Sequence, residues 1–435
     1  MKQAKNKVQD FLKNNGMDHE DIDIERSCSI FLEEMEKGLA GQDSSLAMLP
    51  TYIETEREIP RNKPVIVMDA GGTNFRVATV YFKNDGEAVI ENFKLHSMPG
   101  MDGEVGKEEF FRTMAGYMTD VADKSDNVGF CFSYPIEMFP SKDGRVLYFS
   151  KEIQAKEVEG QMIGENLNLA ISTSGTHQKH MVLLNDTVAT LLAGRADPRA
   201  GAFDSYIGFI LGTGTNCSYV EHNSSITKAK DLDPAKSQIV NVESGGFGKA
   251  PRGTIDKEFN AASVNPGVNT FEKMISGAYI GPLCLMTIQK AADDGIFGEA
   301  ASGGLGELTE LTTKDVSDFL HKPESGDNPL SAATANCHDD LAALLGLVQA
   351  LVERAAKLTA INLSSVAIKS GYGKDPSSPI CIVAEGTTFY HLKSLKEKVE
   401  FYLKQYLVER RNTYYEIISV ENATLIGAAI AGLTN

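Results

Sequence analysis

The chain has 435 residues, more than one ordinary hydrophobic core organises, so two domains with a cleft between them are expected. Forty-two Lys and Arg stand against 59 Asp and Glu, a net charge of −17, and a surface this acidic repels both nucleic acid and anionic membranes. Hydrophobic residues at 42% and charged residues at 23% are ordinary for a soluble globular protein.

The N-terminal 60 residues read as helical. "VQDFLKNN" and "SIFLEEMEKGLAG" place apolar residues at helical spacing, and Gly38 or Gly41 would stop the second helix. The opening "MKQAKNKVQDFLKNNG" has no apolar core of signal-peptide length, and no run downstream is long enough to span a bilayer, which points to the cytoplasm. Val65–Met68 and Phe75–Phe82 read as a β-hairpin, with a third strand near Ala88–Leu95. "GKEEFFRTMAGYMTDVAD" is an amphipathic helix, "NVGFCFSYP" a strand running into a loop, and "HMVLLNDTVATLLAG" a strand followed by a helix. Such alternation predicts an α/β fold.

"SYIGFILGTGTNCSYVEH", from Ser205 to His222, repeats the opening hairpin at an offset of 142, with Gly72 on Gly214, Thr73 on Thr215 and Asn74 on Asn216. Two related domains, each opening on a glycine-tipped hairpin, would face each other. Residues 301–336 are rich in Gly, Ser, Thr and acids and read as irregular or helical surface. "DDLAALLGLVQALVERAAKLTAINLSSVAIKS" is a long helix, "PICIVAEGTTFYHL" a late strand entering a Gly-Thr turn, and "TLIGAAIAGL" a small-residue helix at the end.

Glycine tips let backbone N–H groups approach an anion with no Cβ in the way, so two matched tips suit adjacent phosphates. Asp69 sits beside the first tip. A carboxylate there repels phosphate unless a cation lies between, and Mg²⁺ favours carboxylate, water and phosphate oxygens. Arg76 would neutralise further charge. Neither tip is a P-loop or a GxGxxG turn. Asn185-Asp186 lies at a strand end just before a helix, where Asp186 is either a helix N-cap or a base taking a proton from an attacking hydroxyl. Glu243 and Glu272 precede a glycine turn and open a helix. His177 and His180 read as surface residues in a loop. The six cysteines (Cys28, Cys131, Cys217, Cys284, Cys337 and Cys381) are scattered without a CxxC, as expected of reduced thiols rather than a zinc site.

These segments, in this order, resemble the hexokinase family of sugar kinases within the actin-like ATPases. "DAGGTNFRV" is similar to the family's first phosphate motif, "FCFSYP" to its sugar loop and "LLNDTVATLLAG" to its Asn-Asp-Thr segment. "GFILGTGTNCSYVE" resembles the second phosphate motif, and "NVESGGFG" and "FEKMISGAYIG" the two glutamate segments. The resemblance implies two actin-like (ribonuclease H-like) domains around a central cleft. It implies transfer of the γ-phosphoryl group of MgATP to the 6-hydroxyl of a hexose, glucose first, with mannose or fructose as further acceptors.

By the same resemblance Asp186 is the general base. Ser133, Ser150, Lys151, Asn185, Asn216, Glu243 and Glu272 form the shell around the sugar. Asp69, Gly71, Gly72, Thr73, Asn74 and Arg76 form one side of the nucleotide site, with Asp69 holding Mg²⁺ through water. Gly212, Thr213, Gly214, Gly386, Thr387 and Thr388 form the other. Residues 1–63 are expected to pack on a large domain of 188–435, with the small domain at 64–187 and the terminal helix returning to it. The protein would be a monomer or homodimer. Phe149 and Ser244 stand where the family carries tryptophan, and Ser244 is expected to leave space beside Glu243. Glu385 stands where the family has Asp. A kinase for another sugar or amino sugar, a non-catalytic sugar sensor and an actin-like ATPase without a sugar shell are the alternative readings.

Overall fold

The computed structural model of the chain describes residues 2–149, 153–173, 175–335 and 337–435. Helices α1 (Lys2–Asn14) and α2 (Ile24–Leu39) come first, the second capped by the Asp23 carboxylate accepting from the Arg26 N–H. A short strand, β1 (Leu49–Pro50), follows. The opening hairpin pairs β2 (Val65–Gly71) with β3 (Asn74–Phe82), and β3 pairs with β4 (Ala88–Ser97), all antiparallel. Strands β5 (Asn127–Phe132) and β8 (His180–Leu184) then run parallel to β2, giving the order β4-β3-β2-β5-β8. Helix α3 (Lys107–Tyr117) precedes β5, and a small hairpin, β6 (Ile136–Met138) with β7 (Gly144–Val146), and helix α4 (Ile163–Thr173) lie between β5 and β8. The apolar faces of α3 and α4, through Phe110, Met114 and Leu167, cover Ile66, Met68 and Phe130 of the sheet.

The second sheet repeats this plan. β9 (Ser205–Leu211), β10 (Thr215–His222) and β11 (Ser237–Asn241) form the antiparallel meander, and β12 (Ile380–Glu385) and β13 (Tyr415–Ile418) run parallel to β9. The internal duplication read from the two hairpins is therefore a duplication of whole sheets, with β1 added at the far edge beside β11. The two tips differ in length. Gly71 pairs with Asn74 across a two-residue loop, whereas Leu211 pairs with Thr215 across three. Gly72 in the first tip has φ +57°, a conformation glycine adopts without strain.

Helix α5 (Asp186–Ala193) leads into the second sheet. Among the described residues six α-helices lie between β11 and the long helix: α6 (Thr254–Ala262), α7 (Glu272–Ile275), α8 (Ile280–Asp293), α9 (Glu299–Gly306), α10 (Thr313–His321) and α11 (Pro329–Thr334). The segment 301–336, read as irregular or helical, thus holds most of α9 and all of α10 and α11. Helix α12 (His338–Ser370) is the buried spine of this half, and α1 and α2 pack against it through Phe11, Leu12, Phe31 and Met35. The chain ends through α13 (Thr387–His391), α14 (Leu395–Leu403), a π-helical turn, α15 (Glu409–Arg411) and α16 (Ala423–Thr434).

Helices α5 and α16 lie between the sheets. One apolar cluster joins Val65, Val67 and Val80 of the first sheet to Val188 and Leu191 of α5, Ile426 and Ile430 of α16, and Ile239 of the second sheet. The small residues of α16 permit a very close crossing: a Cβ added at Gly427 would lie 1.8 Å from the Ala189 carbonyl oxygen of α5. That oxygen is helix backbone and cannot swing aside. Gly427→Ala is expected to cost about 3 kcal/mol, the upper end for overpacking, read as a lower denaturant midpoint.

Candidate active site

The ends of these strands meet in a cleft with three cavities. The first, about 550 Å³, is lined by Ser133, Asn185, Asp186, Gly214, Asn216, Asn241, Glu243, Asn269 and Glu272, among others. Ser133 follows β5 and is fixed by its N–H donating to the Ala70 carbonyl at 2.9 Å. Asn185 is the N-cap of α5, its Oδ1 accepting from the Thr187 N–H at 3.0 Å and the Thr187 hydroxyl at 2.6 Å. The capping role open to Asp186 therefore belongs to its neighbour. Asp186, as the first helical residue, is left half-buried at the cleft floor.

An amide–carboxylate chain builds the opposite wall. Asn216 Nδ2 donates to Asn241 Oδ1 at 2.7 Å, and Asn241 Nδ2 donates to Glu243 Oε1 at 2.8 Å. Asn216 Oδ1 accepts from the N–H groups of Cys217 at 2.7 Å and Ser244 at 3.2 Å. Glu243 is held in the left-handed region at φ 56°, a strained placement for a non-glycine residue that presents its carboxylate to the cavity. Glu272 accepts from the Thr215 N–H at 2.9 Å. A Cβ at Gly214 would lie 2.6 Å from Glu272 Oε2, so glycine is needed there for the carboxylate's approach.

Crowding acids in a half-buried cleft disfavours their charged forms. Asp186 is pushed up to about 7, first by desolvation and then by Glu243 and Asp69, against the stabilising Thr187 N–H. Glu243 and Glu272 are raised, chiefly by burial.

The second cavity, about 450 Å³, shares Ser133, Asp186 and Ile210 with the first and adds Asp69, Gly71, Gly72, Asn74, Arg76, Thr190, Glu385, Asn422, Ala423 and Thr424. Asp69 Oδ2 accepts from Thr424 Oγ1 at 2.9 Å and Arg76 Nη1 at 3.2 Å. Burial raises the Asp69 carboxyl, and Thr424 and Arg76 counter it. The Tyr134 hydroxyl donates to the Gly72 carbonyl and ties the glycine tip to the loop that follows β5. A Cβ at Gly72 would meet nothing within 4 Å, so the tip's backbone stands open to the cavity. The donors are hard oxygens, which suits Mg²⁺. Among the described residues there is no cluster of three metal-ligating side chains, so the ion's remaining ligands would be water and phosphate.

The third cavity, about 480 Å³, is lined by Thr213, Gly277, Ala278, Thr313, Ser317, His321, Thr387, Thr388 and Leu392, among others. Gly386 has φ +114°, and a Cβ there would lie 2.3 Å from the Leu211 carbonyl. Thr388 Oγ1 donates to the Gly212 carbonyl at 2.8 Å, locking the second tip to α13.

The structure brings most of the expected residues into this cleft, with differences. Gly214 lines the first cavity rather than the phosphate side. Thr73 is exposed and lines none of the three cavities, its carbonyl accepting from the Met98 N–H at 3.0 Å. Ser150 and Lys151 lie outside the described residues. Ser244 leaves no space beside Glu243: it is fully buried and accepts from Asn362 Nδ2 of α12 at 3.3 Å, facing away from the cavity. Phe149 packs against Phe110, Phe132 and Tyr134. His180 is the first residue of β8 rather than a loop residue. Asn241, Asn269, Thr190 and Thr424 were not singled out from the sequence. Asn241, two residues before Glu243, and Thr190, one helical turn after Asp186, were legible by spacing.

Two family models described as hexokinase match this chain, over residues 7–196 and 206–434. The chain belongs to the hexokinase family. Hexokinase-1 of Arabidopsis thaliana is 29% identical over 428 residues, covering 91% of this chain and 85% of that protein. Human hexokinase-3 is 30% identical over 360 residues, covering 77% of this chain and 37% of that longer protein. The hexokinase from Schistosoma mansoni complexed with glucose has the same fold, with a TM-score of 0.77 at 23% identity over 99% of both chains. This hexokinase is thus a sugar kinase of a family that uses ATP, typically with Mg²⁺. Its two sheets are the actin-like pair expected of the family. Among the described residues no helix is long and apolar enough to cross a membrane.

Proposed function

We propose that this hexokinase transfers the γ-phosphoryl group of MgATP to the 6-hydroxyl of a hexose, glucose first, with Asp186 as the general base. The observation that carries the reading is the position of Asp186 in the wall shared by the acid- and amide-lined cavity and the glycine-tipped cavity. A hydroxyl held in the first and a phosphoryl group held in the second would meet at that carboxylate.

Glu243, Glu272, Asn185, Asn216 and Ser133 hold the sugar, because carboxylates and amides grip vicinal hydroxyls in directional pairs. By the family resemblance Ser150 and Lys151 complete that shell. Asp186 takes the 6-hydroxyl proton as the oxygen attacks phosphorus in line. Backbone N–H groups of the first glycine tip and Arg76 offset charge on the transferring oxygens. Asp69 would hold magnesium through water, and the bound ion would supply further neutralisation of the phosphates. The third cavity takes the nucleoside, with Thr213, Thr387 and Thr388 in its lining and Gly386 next to Thr387 outside it. The small domain, 64–187, closes on the large domain, 188–435, with 1–63 packed on the latter, and closure excludes water as a competing acceptor.

A base that titrates near neutrality gives a defined pH profile. The unprotonated Asp186 carboxylate is the active form, and its pKa lies at about 7. Log kcat/KM is therefore expected to fall with unit slope below about pH 7, reporting the free enzyme. A profile flat down to pH 5 would remove Asp186 from this role. Substrate identity is tested by mixing the protein with MgATP and glucose, mannose, fructose, glucosamine or N-acetylglucosamine and measuring ADP and sugar phosphate. Equimolar ADP and glucose 6-phosphate is the expected result. ADP without sugar phosphate would contradict it.

A further inference from the structure

Thr190 is fully buried, and its hydroxyl has no hydrogen-bond partner within the protein. Most threonines inside helices satisfy the hydroxyl on the carbonyl one turn back, as Thr359 does on Ala355 at 2.9 Å in α12. Thr190 does not, although Asp186 lies four residues before it on the same helix face. It lines the glycine-tipped cavity with Asp69, Asp186, Glu385 and Thr424. Other orphaned buried hydroxyls, those of Thr270, Ser276, Ser331 and Ser364, line none of the three cavities of the cleft. A buried hydroxyl without a partner is destabilising, so one facing a polar cavity is expected to meet a ligand or ordered water there.

We propose that Thr190 is a positioning residue of the phosphoryl-donor site, its hydroxyl oxygen accepting from a water in the hydration shell of magnesium. The wall around it favours this occupant. The carboxylates of Asp69, Asp186 and Glu385 repel a bare phosphate oxygen but attract the polarised protons of a metal-bound water. Two partners of Asp69 Oδ2 are already in place, Thr424 and Arg76, so the water shell needs further acceptors around it. Thr190 supplies one from the rigid central helix, one turn below the proposed base. The inference rests on the reading of Asp69 as the holder of magnesium.

The test compares Thr190→Val, Thr190→Ser and Asp69→Asn by calorimetric titration of ADP with and without Mg²⁺, alongside the unfolding temperature of each ligand-free protein. Thr190→Val is expected to raise the Mg²⁺ concentration needed for tight ADP binding about tenfold, the usual effect of losing an outer-shell partner. Metal-free ADP affinity should stay the same, the ligand-free protein should unfold at or above the wild-type temperature, and Thr190→Ser should restore the Mg²⁺ response. An unchanged Mg²⁺ response in Thr190→Val beside a shifted one in Asp69→Asn would overturn the Thr190 assignment alone. Equal loss of metal-free ADP affinity would place the hydroxyl on a phosphate oxygen and overturn it. A lower unfolding temperature for ligand-free Thr190→Val would show a partner within the protein and overturn it too. An unchanged response in Asp69→Asn would sink the magnesium reading on which the inference rests.

Discussion

Asp186→Asn is expected to lower kcat by about 10²–10⁴-fold, the usual cost of a lost general base, while the fold and sugar binding persist. The amide is nearly isosteric and keeps an oxygen to accept the Thr187 N–H, which now reaches Asp186 Oδ1 at 2.7 Å. A second consequence separates this from simple damage. The folded-state pKa of about 7 lies above the ordinary aspartate value, so between the two the native state binds more protons than the unfolded chain. Stability attributable to Asp186 is therefore present at low pH and lost as pH rises through about 7. The variant, which cannot ionise there, should unfold at a higher temperature than wild type at pH 8 and show no such gain at pH 4. Thermal scans at the two pH values, paired with turnover, check both halves. Near-normal kcat would remove Asp186 as the base. A loss of stability at pH 8 would contradict its environment.

Stability depends most on the buried pair of Arg354 in α12 and Asp256 in α6. Arg354 is 1% exposed and Asp256 4%, and the guanidinium grips the carboxylate with two bonds, Nη1 to Oδ1 at 3.1 Å and Nη2 to Oδ2 at 2.5 Å. Nη2 also donates to the Pro251 carbonyl at 3.2 Å, and Asp256 accepts from the Gly253 N–H at 2.7 Å. The pair thus clamps the loop that follows the Glu243 turn onto the spine helix. Removing one partner strands the other charge in the core. Asp256→Ala is expected to cost about 3–5 kcal/mol, read from denaturant midpoints. Replacing both residues with apolar side chains of similar size should recover much of that loss. If Asp256→Ala and wild type unfold at the same midpoint, the buried pair contributes nothing and the clamp is not structural.

Much of the cleft was legible in the sequence because its chemistry is local. Asp69 and Gly72 belong to one hairpin, Asn185 and Asp186 to one strand-to-helix junction, and the hairpin repeat at an offset of 142 announced the doubled sheets. What pattern could not reveal depends on contacts made across the chain. Thr424 reaches Asp69 over 355 positions, joining the last helix to the first sheet. Ser45 and Thr51 line the first cavity from a segment with no motif, because β1 adds to the edge of the second sheet. The error at Ser244 has the same origin. A small residue beside Glu243 suggests space, but Asn362, 118 positions away, takes its hydroxyl. The extra residue in the second tip was hidden because glycines were aligned, whereas strand register is decided by which residues pair across the hairpin.

As proposed, Asp186, in the wall shared by two cavities, directs a phosphoryl group onto the primary hydroxyl of a hexose. Phosphorus NMR of the products formed with MgATP, comparing glucose with 6-deoxyglucose, tests it most directly. A single phosphomonoester on carbon 6 of glucose, equimolar with ADP, and no sugar phosphate from 6-deoxyglucose is the expected result. Phosphorylation at another carbon, or ADP released without any sugar phosphate, would contradict it.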